Sequence, residues 1–321
     1  MSSRFAPRSV GLVCLVLVMA PAWAAEETAS SKAVPFVFGW KPGLKIGVEH
    51  KSSREMPGKS QRGTLRYTLS VDAAGENLAV RFKNPKIGGP TLAPNAGAQA
   101  FQEQLSVAAL PELLVKTSGD YVGLVDPDGQ STRVLTLLQK IVAEKVPGPA
   151  QIGVNNSLVM FASPQYLESK AGDLWNPIVG FWLESKPEVG ETYEFELMSP
   201  VPIIPGALVK QKGQFSVVET HTCLRAGIER TCAGIQMHVE TDPEDVARLL
   251  KQVLERMNTT GRTLPKFDAL SVKWELTLVT EPDGMFPHEY SSSREMHASM
   301  TTAGKTEKVH RIDLDEARYT Y

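Results

Sequence analysis

Four side chains cluster in type and spacing where chemistry is possible: His221, Cys223, Cys232 and His238. Two thiols and two imidazoles could hold zinc, exchange disulfides or close a single bridge. In a strand reading, His238 stands six residues beyond Cys232, about 20 Å along the chain. Tetrahedral ligands must lie within about 2.3 Å of one ion, so the four cannot share a metal. No Cys-x-x-Cys pair supports redox catalysis. The remaining reading is a disulfide, Cys223–Cys232, clamping a β-hairpin. With the cysteines directly opposed, Val218 faces Met237 and Ser216 faces Val239. Ile235, Met237 and Val239 then share a buried face, and the sulfurs lie on the polar side.

Other motifs carry less. The chain has no G-x-S-x-G elbow, S-x-x-K pair, H-E-x-x-H helix, P-loop or G-x-G-x-x-G. Asp126-Pro-Asp-Gly129 resembles the start of a calcium loop but lacks its later acidic positions, and reads as a tight turn. His288 and His297 read as strand-surface histidines, and Glu275, Glu289 and Glu295 as solvated carboxylates. We therefore expect no catalytic residue, no metal and no cofactor. The aromatics give a different hint. Trp175, Phe181, Trp182 and Trp274 could wall an apolar ligand cavity, or could simply fill a core.

The N-terminus has the layout of an export signal. Arg4 and Arg8 precede an apolar run from Val10 to Ala20, and Pro21 leads into Ala22-Trp23-Ala24, a small-x-small cleavage pattern. The run is too short for a bilayer span, which needs about 20 residues, and no later stretch reaches that length. Export also favours the disulfide, because oxidising compartments preserve such bonds. Beyond residue 24 the chain carries 32 basic and 36 acidic side chains, since Arg4 and Arg8 are the only charges before it. That balance offers no footprint for nucleic acid.

The elements that must position these residues are mostly strands. Leu65, Tyr67, Leu69 and Val71 alternate, as do Leu78, Val80 and Phe82 after the turn Asp72–Asn77; Leu44, Ile46 and Val48 predict an earlier strand. Leu113 and Val115 face Val122 and Leu124 if the chain reverses at Thr117–Asp120. Leu270 to Leu278 alternate, turn at Glu281-Pro-Asp-Gly284, and return through Phe286, Tyr290, Met296, Ala298 and Met300 on one face. A last strand carries Val309, Ile312 and Leu314, whose parity slip predicts a bulge. Helices are expected from Thr241 to Gly261 and from Ser131 to Lys145, each after an Asp-Pro junction. Ser163 to Leu183 reads as one or two more, broken at Gly172 and at Asn176-Pro177.

These readings combine into an α+β protein, mainly antiparallel, with curved sheet and two or three amphipathic helices packed on one face. The expected divisions are a signal peptide over 1–24, a flexible leader over 25–35, a β-rich half over 36–150 ending in a helix, and a second β-rich half over 151–321. The chain is expected to be exported, periplasmic or extracellular. Its expected role is non-enzymatic binding of a lipid, another apolar ligand or an envelope protein. A hydrolase with a site assembled across strands, or an envelope assembly factor, is the alternative.

Overall fold

In the computed structural model the described residues are 33–88, 110–145, 161–200, 208–249, 266–302 and 305–321, with isolated helical positions at 108, 148, 151, 158 and 159. The proposed signal peptide and most of the leader lie outside them. So do the end of the 241–261 helix, with Leu250, Val253 and Met257, and the tip at Ala303 and Gly304.

Period-two patterning becomes one eleven-stranded sheet, antiparallel at every neighbouring pair. The strands are β1 (Lys45–Met56), β2 (Lys59–Ala74), β3 (Asn77–Gly88), β4 (Glu112–Lys116), β5 (Tyr121–Leu124), β6 (Thr192–Pro200), β7 (Leu208–Arg225), β8 (Ile228–Thr241), β9 (Lys266–Glu281), β10 (Phe286–Thr302) and β11 (Lys305–Thr320). Their spatial order is β5-β4-β3-β2-β1-β11-β10-β9-β8-β7-β6. Residues 36–150 contribute one meander and residues 151–321 another, and the β1–β11 pairing joins them (Val48 opposite Tyr319, His50 opposite Ala317). The sheet does not close; β5 and β6 are its edges.

Register carries one apolar face across the whole sheet. Val48 pairs with Tyr67, Leu69 with Phe82, Val80 with Leu113, Tyr290 with Leu278, Leu278 with Ile235, and Ile235 with Val217. These positions share a side because side chains alternate along each strand. Val80, Val217, Ile235 and Leu278 expose none of their surface, and neither do Val71 and Val115 on the same face.

The helices are α1 (Pro127–Lys145), α2 (Pro164–Trp175) with a π-helical turn after it (Asn176–Gly180), and α3 (243–249). Val134 of α1 and Leu167, Ala171 and Trp175 of α2 join the main core. Val246 and Leu249 of α3 join Val209, Leu270, Val272 and Ala298 in a second cluster. Asp126 accepts from the Gly129 N–H at 2.9 Å. The Asp126–Gly129 run expected to be a tight turn is therefore the N-terminus of α1, which starts four residues before the expected Ser131. Asp242 does the same for α3, accepting from the N–H groups of Glu244 and Asp245, so both Asp-Pro junctions are capped helix starts. Gly172 does not break α2. It is buried against the Tyr121 ring, which an added Cβ would meet at 3.4 Å, an ordinary contact, so the helix runs through it without special strain.

Three further expectations are corrected. The turn at 72–77 tightens to two residues, because Asp72 and Ala73 continue the ladder opposite Ala79 and Leu78. A bulge between Leu114 and Val115 puts Tyr121, not Val122, opposite Val115, and leaves Val122 exposed. The bulge expected between Val309 and Ile312 is absent. β11 pairs with β10 in one unbroken register, so Ile312 faces Glu295 on the other side of the sheet. Strand β6, with Tyr193, Phe195 and Leu197 alternating, was not expected from the sequence although it carries the same signal.

Candidate functional site

An apolar cavity of about 190 Å³ lies between the buried sheet face and α2. Strands β1, β2, β3, β4, β10 and β11 supply its floor, with Leu69, Val80, Phe82, Leu113 and Ala317 prominent. Leu174, Trp175, Ile178 and Trp40 face them. The indoles are held in place. Trp175 Nε1 donates to Gly119 O at 2.8 Å, and Trp40 Nε1 to Met285 O at 3.0 Å. The two rings meet edge-on with centroids 5.3 Å apart, and Phe38 completes the group at 5.7 and 5.9 Å. Anchored aromatics of this kind present a rigid wall.

Polar groups enter the cavity at few points. Tyr67, Tyr290 and Tyr319 line it. Burial holds their phenols protonated, pushing Tyr290 up to about 12 and Tyr67 and Tyr319 higher still; neighbouring phenols add to the shift at Tyr319. They are thus neutral hydroxyls that can donate or accept. At the partly exposed side, His50 Nε2 lies 3.1 Å from Asp315 Oδ1. Beyond that pair the same sheet face turns polar: Arg54 and Arg311 both bond Asp313. Asp173 of α2, paired with Lys170, adds a carboxylate on the helix side. The cavity is thus a mainly apolar chamber with a few polar groups at its rim, lined by no serine, threonine or cysteine.

Of the four aromatics expected to wall a ligand cavity, Trp175 lines this one, and Phe181, Trp182 and Trp274 are not among its lining residues. Trp182 is in the main core, with Nε1 donating to Pro177 O and its ring 5.5 Å from Phe215. Phe181 packs against Trp182 and Trp274, at 6.3 and 6.4 Å. Those three form a packing cluster farther along the sheet. The residues that the sequence did not single out, His50, Tyr67, Tyr290, Asp315 and Tyr319, come together through register. Their signal was the shared parity of apolar positions on β1, β2, β10 and β11, which needs the β1–β11 pairing to converge.

The disulfide Cys223–Cys232 is present, with its Cα atoms 5.8 Å apart. Its register differs from the expected one. A bulge between Val217 and Glu219 shifts the pairing, so Cys232 stands opposite His221 and Cys223 opposite Arg230. The bridge is diagonal, and Val217 instead of Val218 faces the core with Ile235. The sulfurs are on the opposite face from Ile235, as expected, but that face is not simply solvated there. Cys232 is fully buried, and so is Glu281 beside it. Glu281 Oε1 meets His288 Nε2 at 2.9 Å and Arg225 Nε at 3.3 Å, and His288 Nε2 also lies 3.6 Å from Cys223 Sγ. Arg225 stacks 3.8 Å over Phe286. Phe286 is here because His288 bulges out of register between Pro287 and Glu289, which turns Phe286 to the side opposite Tyr290. The buried carboxylate is thus matched by two basic groups, and the cluster locks the β7–β8 hairpin to β9 and β10. His238 is bonded to Glu240 and His221 lies near Glu219, so neither approaches the sulfurs as a ligand.

The class that this fold and site define is an open, single-sheet antiparallel α+β protein with an apolar chamber under one helix. The sequence matches no protein-family model, and no curated protein matches it significantly. No helix among the described residues is long and apolar enough to cross a membrane.

Proposed function

We propose that the chain is an exported, periplasmic, non-enzymatic carrier or sensor of a small apolar molecule, bound between a curved sheet and helices that cover its one apolar face. The observation carrying this reading is the chamber, walled mostly by apolar and aromatic side chains, with the His50–Asp315 pair at one side and Asp173 on the helix side. Concave apolar sites with a few placed polar groups are the usual form of small-molecule sites. Size narrows the ligand. A cavity of roughly 150 Å³ holds one benzene ring, so 190 Å³ suits a single substituted ring or a short acyl segment. The ligand's polar end would meet His50, Asp315 and the tyrosyl hydroxyls. A lining without serine, threonine or cysteine weighs against a hydrolase built at this His–Asp pair.

Native mass spectrometry of protein purified without denaturation from its own cell envelope tests the reading. A bound apolar molecule of a few hundred daltons or less is expected, and it should be lost on Ala317→Leu, which fills the chamber floor. Reproducibly bare wild-type protein would count against a carrier.

A further inference from the structure

The sheet face away from the chamber carries a separate convergence of ligating atoms. His297 on β10 and His310 on β11 are directly opposed partners, and Glu295 precedes His297 by two residues on the same side. The imidazole rings stack, 4.3 Å apart and 8° from parallel. Both Nε2 atoms lie 2.9 Å from the same oxygen, Glu295 Oε1. The three side chains are 51%, 45% and 36% exposed, so ions in solution reach them. The arrangement follows from strand geometry. Opposed positions bring Cβ atoms within about 5 Å, and residues two apart share a face.

We propose that Glu295, His297 and His310 form a binding site for a divalent first-row transition metal ion of the zinc or copper kind. Two imidazoles with one carboxylate suit these ions, whereas calcium and magnesium call for sets of oxygen ligands. Metal–nitrogen bonds of about 2.0 Å in tetrahedral array separate ligand atoms by roughly 3.3 Å. The three atoms lie within 4.8 Å of one another, so side-chain rotations that tilt the stacked rings and close the set by up to about 1.5 Å bring them to that spacing. Each ring now directs Nε2–H at Glu295. To ligate, each neutral ring moves its proton to Nδ1 and offers the Nε2 lone pair, with no net change in protons. Three protein ligands leave a coordination position open to water or to a donor from a partner molecule. Among the described residues, the other metal-like grouping, Cys223, Cys232 and His288, has both sulfurs committed to the disulfide.

The test uses untagged, metal-stripped full chain, titrated with zinc chloride by calorimetry and with copper(II) by electron paramagnetic resonance. One saturable site per chain is expected, with coupling to two nitrogens in the copper spectrum. His297→Ala and His310→Ala should each weaken binding at least tenfold, while His221→Ala should leave it unchanged. In the unmutated chain, zinc should shift the imidazole nitrogen resonances of His297 and His310 before those of any other histidine. The proposal is overturned by the absence of saturable binding, by equal losses in His221→Ala, or by zinc shifting other histidines first.

Discussion

At the residue scale, three positions state the physics most directly. Gly119 has φ of +95°, where side chains rarely go, and an added Cβ would fall 2.7 Å from Phe38; its carbonyl also receives the Trp175 indole. Gly119→Ala should therefore cost about 1–3 kcal/mol in urea unfolding, and should weaken ligand retention by displacing Trp175. Cys223 and Cys232 close a loop of nine-residue separation. Replacing both with Ala should remove about 2–3 kcal/mol, read as a lower denaturation midpoint with an unchanged far-ultraviolet circular dichroism spectrum. An unchanged midpoint would show that the Glu281–His288–Arg225 cluster alone holds the hairpin. Ala317→Leu is the converse case, since it adds bulk to an existing void and should abolish ligand with little loss of stability.

Elements respond through their ends and irregularities. The N-terminus of α3 is organised by Asp242, which accepts two backbone N–H groups and pairs with Lys212 at 2.9 Å. The Lys212 ammonium, and then those N–H groups, hold its carboxyl below the usual aspartate range against the opposing effect of burial. A lowered folded-state pKa contributes stability that is present above the unfolded value, about 3.9, and is lost as pH falls through the folded value. The thermal midpoint should thus decline between pH 5 and 3, and Asp242→Asn should flatten that decline. An identical slope in the variant would place the acid sensitivity elsewhere. The bulges are the other controlling details. One extra residue near Val218 changes which β7 side chains face the core, and one at His288 moves Phe286 from the chamber side to the disulfide side.

The whole molecule depends on one long sheet with buried phenols along its centre. Tyr67, Tyr290, Tyr319 and Tyr321 all titrate above the ordinary tyrosine value because burial disfavours phenolate, with Tyr290 at about 12. The sign is that of a raised acid: full stability below the unfolded value near 10, lost as pH rises toward the folded one. Cooperative unfolding is expected above pH 10, with tyrosinate absorbance at 295 nm rising in step with loss of circular dichroism. Tyr290→Phe should move that transition upward by a few tenths of a pH unit. Tyrosine ionisation that completes well before unfolding would mean the phenols are not buried as described.

What the residues determined alone was local. Alternation along β2, β3 and β9 follows from a backbone that sends successive side chains to opposite sides, so one apolar face is visible in the chain itself. The Asp-Pro helix starts and the disulfide are likewise set by chemistry within a few residues or one hairpin. Only tertiary structure decided the rest. The β1–β11 pairing links residues some 270 positions apart, and nothing local encodes it; without it His50, Tyr67, Tyr290 and Tyr319 share no cavity. Trp182 and Trp274 look like Trp175 in sequence, yet among the described residues Trp175 lines the chamber, whereas Trp182 packs on Phe215 and Trp274 on Phe181. Bulges escaped for the same reason. Whether a strand absorbs an extra residue depends on the hydrogen bonds and packing of both its neighbours, and that balance is struck only once the whole sheet is assembled.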